Sequence, residues 1–149
     1  MIRLQRTNSD NSDFQALVHR LDADLKIRDG DEHAFFNQYN KIDTIKHVVV
    51  AYKNNKPLGC GAFKAFSDDT TEIKRMYTSE EARGKGIATA VLKELEAWAR
   101  EKGFSNMILE TGFRMPEAIA LYTKYGFERT ENYGQYQGVE ASRCFLKKL

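Results

Sequence analysis

The chain has 149 residues, 42% of them hydrophobic and 30% charged, which suits one folded core and excludes a disordered polymer. Lys and Arg number 23 against 21 Asp and Glu, and a net charge of +2 excludes nucleic-acid or membrane binding driven by bulk charge. The two cysteines, Cys60 and Cys144, cannot build a disulfide scaffold and point to a reducing, cytoplasmic setting; with no Cys-x-x-Cys and with His19, His33 and His47 far apart, no metal site is expected.

Met1–Thr7 lacks a long apolar core, so no leader peptide is expected. The longest apolar runs, such as Val48–Tyr52, fall well short of the roughly 20 residues a membrane span needs. No repeat, low-complexity tract or linker divides the chain, and a single domain over 1–149 is expected.

Thr7-Asn8-Ser9-Asp10 supplies helix-capping residues, and Phe14, Leu17, Val18, Leu21 and Leu25 recur at helical spacing, which predicts a helix over about 11–27. A short helix over 32–39 follows, in a stretch holding Phe35, Phe36 and Tyr39. His47–Lys53 is rich in β-branched residues and reads as a strand. Asn54-Asn55-Lys56-Pro57 is a turn, and Leu58–Phe66 reads as the hairpin partner. Ser67-Asp68-Asp69 turns the chain again into a third strand over Thr70–Tyr77. Ile87, Ala88, Val91, Leu92, Leu95, Trp98 and Ala99 mark the strongest helix, which Lys102-Gly103 ends. Met107-Ile108-Leu109 is the centre of a buried strand. Pro116 starts a last helix and Gly126 stops it. Phe127–Tyr133 and Ser142–Lys147 close the chain as strands. The order (helix-rich start, antiparallel meander, helix, strand, helix, strands) is α/β or α+β with a mixed sheet.

The chemically informative segment is Arg83-Gly84-Lys85-Gly86-Ile87-Ala88, between a strand and the strongest helix. Glycines let a ligand approach the backbone, and the first turn of a helix offers unpaired N–H groups at the positive end of its dipole. Such a turn suits a phosphate or pyrophosphate, with Arg83 and Lys85 adding charge beside it. It is not a P-loop, because Ile87 stands where Lys is required, and not a dinucleotide fingerprint, because Thr89 stands in place of the third glycine. The other reading of the turn is a tight strand-to-helix connection with exposed charges.

Arg83-x-x-Gly86-x-Ala88 resembles the R/Q-x-x-G-x-G/A signature of the GNAT superfamily, the acetyl-CoA-dependent N-acetyltransferases. Glu72-Ile73-Lys74-Arg75-Met76-Tyr77 resembles the strand before that signature. Ala118-Ile119-Ala120-Leu121-Tyr122-Thr123-Lys124-Tyr125-Gly126-Phe127 resembles the A-x-x-L-Y-x-x-x-G-F segment after it. The three motifs cover roughly 58–147, the acetyl-CoA-binding core, and leave 1–45 as helices that shape the acceptor site. The resemblance implies a mixed, mostly antiparallel sheet flanked by helices, with a splayed strand pair forming the acyl-CoA cleft. It implies acetyl-CoA as cosubstrate without a metal, its pyrophosphate on the amides of Arg83, Gly84, Lys85, Gly86, Ile87 and Ala88. The pantetheine arm would lie along Met76, Tyr77 and Thr78 like an added strand, with the thioester in the gap before Met107–Thr111. The family often forms dimers, so a homodimer is expected.

Transfer to an amine needs a neutral nucleophile, and a lysine-like amine, with a reference pKa near 10.4, is mostly protonated at pH 7. Glu72 holds a position where some family members place a catalytic base. Its other reading is a strand-end carboxylate paired with Lys74 or Arg75. Tyr122 suits protonation of the departing thiolate, as the Leu121-Tyr122 match implies; spacing alone makes it an aromatic on a packing face. One departure stands out: Met115 occupies the place where many members carry an Asn that contacts the CoA arm. Cys60 and Cys144 read as small buried residues rather than acyl carriers. Phe35, Phe36, Tyr39, Tyr133 and Tyr136 are candidate acceptor-pocket aromatics, and Arg114 a candidate carboxylate reader, though each also reads as ordinary core or surface. No strongly acidic run marks a basic protein tail as acceptor, so the expected acceptor is a small-molecule primary amine. The alternative of the same fold is a non-catalytic CoA-binding sensor.

Overall fold

The computed structural model describes residues 1–29 and 45–149. The helix expected over 32–39, with Phe35, Phe36 and Tyr39, lies outside the described residues. The chain opens on a strand, β1 (Arg3–Thr7), where the sequence reads as helix-rich. Its weak pattern of half-buried residues is held by antiparallel pairing to β2 (His47–Lys53) from Arg3↔Tyr52 to Thr7↔Val48. Arg6 ties this edge strand to the surface of a later helix, with Nε 2.7 Å from Glu94 and its terminal nitrogens 2.8 and 2.7 Å from Glu101.

Helix α1 (Ser12–Asp29) is capped by Asn11, not by the Thr7–Asp10 run, because the Asn11 side chain accepts the Phe14 N–H at 2.9 Å. Strands β2 and β3 (Lys56–Ala65) form a hairpin around Asn54 and Asn55. Both asparagines take positive φ, 53° and 63°, as a two-residue turn matched to strand twist requires. Strand β4 (Thr70–Thr78) extends the meander. Then come α2 (Ile87–Glu101), β5 (Asn106–Gly112), α3 (Pro116–Tyr125), β6 (Glu128–Thr130) and β7 (Ser142–Lys148). β6 stops at Thr130, short of the strand expected as far as Tyr133, and a short 3-10 turn follows at Gly134–Tyr136.

The sheet has seven strands in the order β1-β2-β3-β4-β5-β7-β6, with β4 and β5 parallel and every other pair antiparallel. Alternation in β2 feeds two cores. Val48 and Val50 pack with Phe14, Leu17 and Val18 of α1. On the other face Val49, Phe63, Ile73 and Leu109 pack with Val91 and Leu95 of α2. Helices cover both faces, which is why β2 is a nearly continuous apolar run.

Two irregularities position the site. Strand β4 carries a bulge: Ala62 pairs with Lys74 and Cys60 with Tyr77, so that Gly61 faces two residues, and Arg75 there takes φ 60°. Moreover, β4 pairs with β5 only at Thr70, Thr71 and Glu72. Beyond Glu72 the two strands part.

Gly61 leaves the bulge room to form. A Cβ there would run into the Met76 sulfur and lie 2.9 Å from Val91 and 3.0 Å from Leu95. Gly61→Ala is therefore expected to destabilise the fold by about 2 kcal/mol through overpacking. Denaturant unfolding should show a lower midpoint at an unchanged slope. An unmoved midpoint would mean that the bulge and α2 give way freely.

Candidate active site

The opening between β4 and β5 holds two cavities. The larger, about 570 Å³, runs from the strand segment Met76–Thr78, past the glycine turn, to the face of α3 that carries Leu121, Tyr122 and Tyr125. The smaller, about 110 Å³, lies among Glu72, Lys74 and Arg75 of β4, Glu110 of β5 and Tyr136 of the β6–β7 connector. Leu21, Met76, Met115, Ala118 and Tyr122 belong to the walls of both, so the cavities adjoin where the strands part.

At the outer end of the large cavity the chain passes through Gly84 and Gly86, with φ 79° and 80°. Gly86 is the residue before α2 and offers no side-chain cap. The Ala90 N–H bonds to the Gly86 carbonyl at 3.0 Å. The amides of Ile87, Ala88 and Thr89 precede it and have no carbonyl behind them in the helix. They give one end of the cavity a field and donor set suited to an anion. Arg83 folds back with Nε 3.0 Å from the Thr78 carbonyl, its guanidinium 5.7 Å from the Tyr77 ring centre. Of the residues singled out for this ligand, Met76, Tyr77, Thr78, Arg83, Gly84, Gly86, Ile87 and Ala88 line the cavity. Lys85 is exposed on the turn and is not part of the lining.

Tyr122 stands at the junction. Its ring packs edge-on to Phe127 at 5.8 Å and tilted against Phe145 at 6.5 Å, so it is both a packing residue and a wall of each cavity. Burial pushes its phenol well above the usual range, and the charge of Glu110 pushes the same way. The hydroxyl therefore holds its proton at neutral pH and is a donor.

Glu72 lies in the smaller cavity, only 4% exposed, which makes it a buried carboxylate rather than a surface one. The Tyr133 hydroxyl donates to its Oε2 at 2.8 Å, and Lys74 Nζ stands 3.3 Å from the same oxygen. Arg75 does not join that pair; it turns to Asp22 on α1, 2.7 Å away. Glu110, which sequence reading did not single out, accepts a hydrogen bond from Ser142 at 2.8 Å. Its only sequence signal was a carboxylate in an apolar strand.

Tyr136 lines the smaller cavity, whereas Arg114 lies elsewhere, over Phe113 at 4.8 Å in a cleft with Arg143 and Glu140. Met115 sits at the start of α3 with no side-chain capping bond, so the position offers both cavities an apolar surface. Burial pushes the Cys60 thiol up to about 12 and the Cys144 thiol up to about 11, which leaves both protonated and weakly nucleophilic at neutral pH. Among the described residues no group of His, Cys, Asp and Glu is placed to hold a metal ion, and no helix is long and apolar enough to cross a membrane.

A sheet opened between parallel neighbours, with a glycine turn and a helix N-terminus at one end of the opening, defines a mixed α/β fold with a cleft whose one end is suited to an anion. Comparison with known proteins agrees with that class. Residues 12–127 match the model of the acetyltransferase (GNAT) family. The IAA acetyltransferase of Azospirillum brasilense is 36% identical over 101 residues, which are 67% of this chain and 65% of that protein. The chain thus spans just under two thirds of this longer relative. A Klebsiella pneumoniae protein assigned as an acyl-CoA N-acyltransferase superposes with a TM-score of 0.84 at 28% identity, over 100% of this chain and 98% of that one. A GNAT acetyltransferase of Elizabethkingia anophelis, solved with acetyl-CoA bound, shares the fold at a TM-score of 0.70 and 19% identity, over 99% and 98% of the two chains. The chain belongs to the acetyltransferase (GNAT) family.

Proposed function

We propose that the protein is an N-acetyltransferase that moves acetyl from acetyl-CoA to the primary amine of a small molecule, by direct attack in a ternary complex. The observation that carries this reading is the adjoining of two cavities across the gap between β4 and β5, with Tyr122 at the junction and Glu72 on the far side. When bound, acetyl-CoA supplies the activated acyl group. The amides of the Arg83–Ala88 turn grip its diphosphate, and the free edge of β4 from Met76 to Thr78 pairs with its arm. The Met76 amide donates to the thioester oxygen as charge develops there, a fixed donor worth about 3 kcal/mol in the transition state. Glu72 accepts the acceptor's proton, directly or through water, and Tyr122 donates to the departing sulfur.

The acceptor cavity, about 110 Å³ among the described residues, favours a small amine. Leu21 and Leu25 of α1 in its wall support the assignment of residues 1–45 to acceptor binding. A cytoplasmic, dimeric enzyme belongs to the same reading.

The test is release of free thiol from acetyl-CoA across a panel of amino acids, aliphatic polyamines, arylalkylamines and aminoglycosides. At least one class is expected to give turnover. CoA alone at about 100 times its Kd should add about 2.7 kcal/mol, a rise in melting temperature of about 5–10 °C for a chain of this size. Protection without thiol release on any amine would favour the CoA-binding sensor. Neither response would remove the reading.

A further inference from the structure

Glu72 is a carboxylate buried without a full shell of donors. Both of its partners converge on Oε2, while Oε1 has none among the described residues. One partner, Lys74, shares its strand. The other, Tyr133, comes from the connector between β6 and β7, sixty-one positions away in sequence.

That connector is braced. Asn132 Nδ2 donates to the Val139 carbonyl at 2.9 Å, across its base. The Tyr133 ring meets Phe66 edge-on at 5.2 Å and Tyr136 edge-on at 5.7 Å, which fixes the direction of its hydroxyl. Lys74 is held in turn, with Nζ 3.5 Å from the Tyr136 hydroxyl and 5.9 Å from that ring's centre. Two constrained donors on one oxygen set the plane of a carboxylate and leave the other oxygen with its lone pairs aimed one way.

We propose that Tyr133 is a positioning residue: with Lys74 it clamps Oε2 of Glu72 so that Oε1 alone receives the proton of the acceptor amine. The inference rests on the reading of Glu72 as the base. In this step an N–H bond of the acceptor ammonium breaks, its proton forms an O–H bond at Oε1, and the electron pair stays on nitrogen for attack at the acyl carbon. The negative charge on Glu72 is quenched as the positive charge on nitrogen is lost. Tyr133 keeps its own proton throughout, since burial and the neighbouring Glu72 charge hold its phenol far above neutral. It therefore acts through Glu72 and is not itself the base.

The groups that face this pair come from several elements. They are Lys74 on β4, Glu110 on β5, Cys144 on β7 and Tyr136 on the connector, with Arg75 in the same wall neutralised by Asp22 of α1. Among them the Tyr133 hydroxyl and the Lys74 ammonium are the donors that reach the Glu72 carboxylate, so removing either acts on that group.

Three variants, Tyr133→Phe, Lys74→Met and Glu72→Gln, separate the two claims when kcat/KM is measured against pH with the most active amine of the panel. Tyr133→Phe keeps the ring and its packing. It should leave KM for acetyl-CoA unchanged, lower kcat about tenfold, and move the acid limb upward by about one pH unit, the worth of one hydrogen bond to a charged group. Lys74→Met should move the limb further, since a full charge is lost. Glu72→Gln should abolish the limb. If Glu72→Gln abolishes it while the other two profiles superimpose on the parent, the clamp is wrong and the base stands. If Glu72→Gln retains the limb, the base reading fails and the clamp falls with it.

Discussion

Tyr122→Phe is expected to lower kcat about 100-fold and to leave the Kd for CoA unchanged. The variant removes one hydroxyl from a ring whose contacts with Phe127 and Phe145 are all carbon, so the packing of α3 on the sheet survives. Positioned proton donors contribute about 10²–10⁴-fold, and the low end applies because a thiolate with a reference pKa near 8.5 is a fair leaving group unaided. The defect should stay constant across the neutral range, because burial keeps the Tyr122 phenol protonated there. Steady-state kinetics with calorimetry on CoA reads both quantities. An unaltered kcat would place the acid elsewhere.

Gly86→Val is expected to weaken CoA binding about 30-fold or more. Two effects combine at this residue. Its φ of 80° lies in the left-handed region, where a β-branched side chain costs about 1–2 kcal/mol. A Cβ there meets nothing within 4 Å, so the added side chain stands free beside the cavity, where it obstructs approach to the amides of Ile87, Ala88 and Thr89. Gly103 supplies the control. It has φ 89° and equally open space at the other end of α2, but no place in the cavity. Gly103→Val should lose comparable stability and keep its affinity for CoA. Equal affinity losses in both variants would show that strain, not obstruction, is responsible, and would move the diphosphate away from the turn.

Most elements were legible because their signals are local. His47–Lys53 folds with the bounds its β-branched run sets, and Pro116 and Gly126 bracket α3 as a first-turn proline and a left-handed stop should. Strand β1 was not legible. Arg3-Leu4-Gln5-Arg6-Thr7 has no intrinsic strand signal, and its conformation is imposed by the exposed edge of β2. The wall of the larger cavity was legible for the same reason as the helices: the glycines, the turn and the helix start are contiguous. The wall of the smaller cavity was not. Glu72 meets Tyr133, and Glu110 meets Ser142, only because the strand order places β7 and the connector beside the opening. Pairings of that kind are properties of topology, and a single sequence holds no local trace of them.

The extra residue in β4 has a consequence for how this strand tolerates change. In a regular strand odd and even positions keep to opposite sides of the sheet throughout. Here Ile73 packs toward α2 and so does Met76, while Tyr77 joins the side of α1. Parity reverses at Arg75. The reversal lets one short strand line the smaller cavity with Glu72 and the larger one with Met76–Thr78. It also ties the pattern to the bulge: a strand of this length that lost the bulge would exchange the sides of every side chain after Ile73, whereas one residue fewer between Ile73 and Met76 would give regular alternation with Met76 and Tyr77 on their present sides.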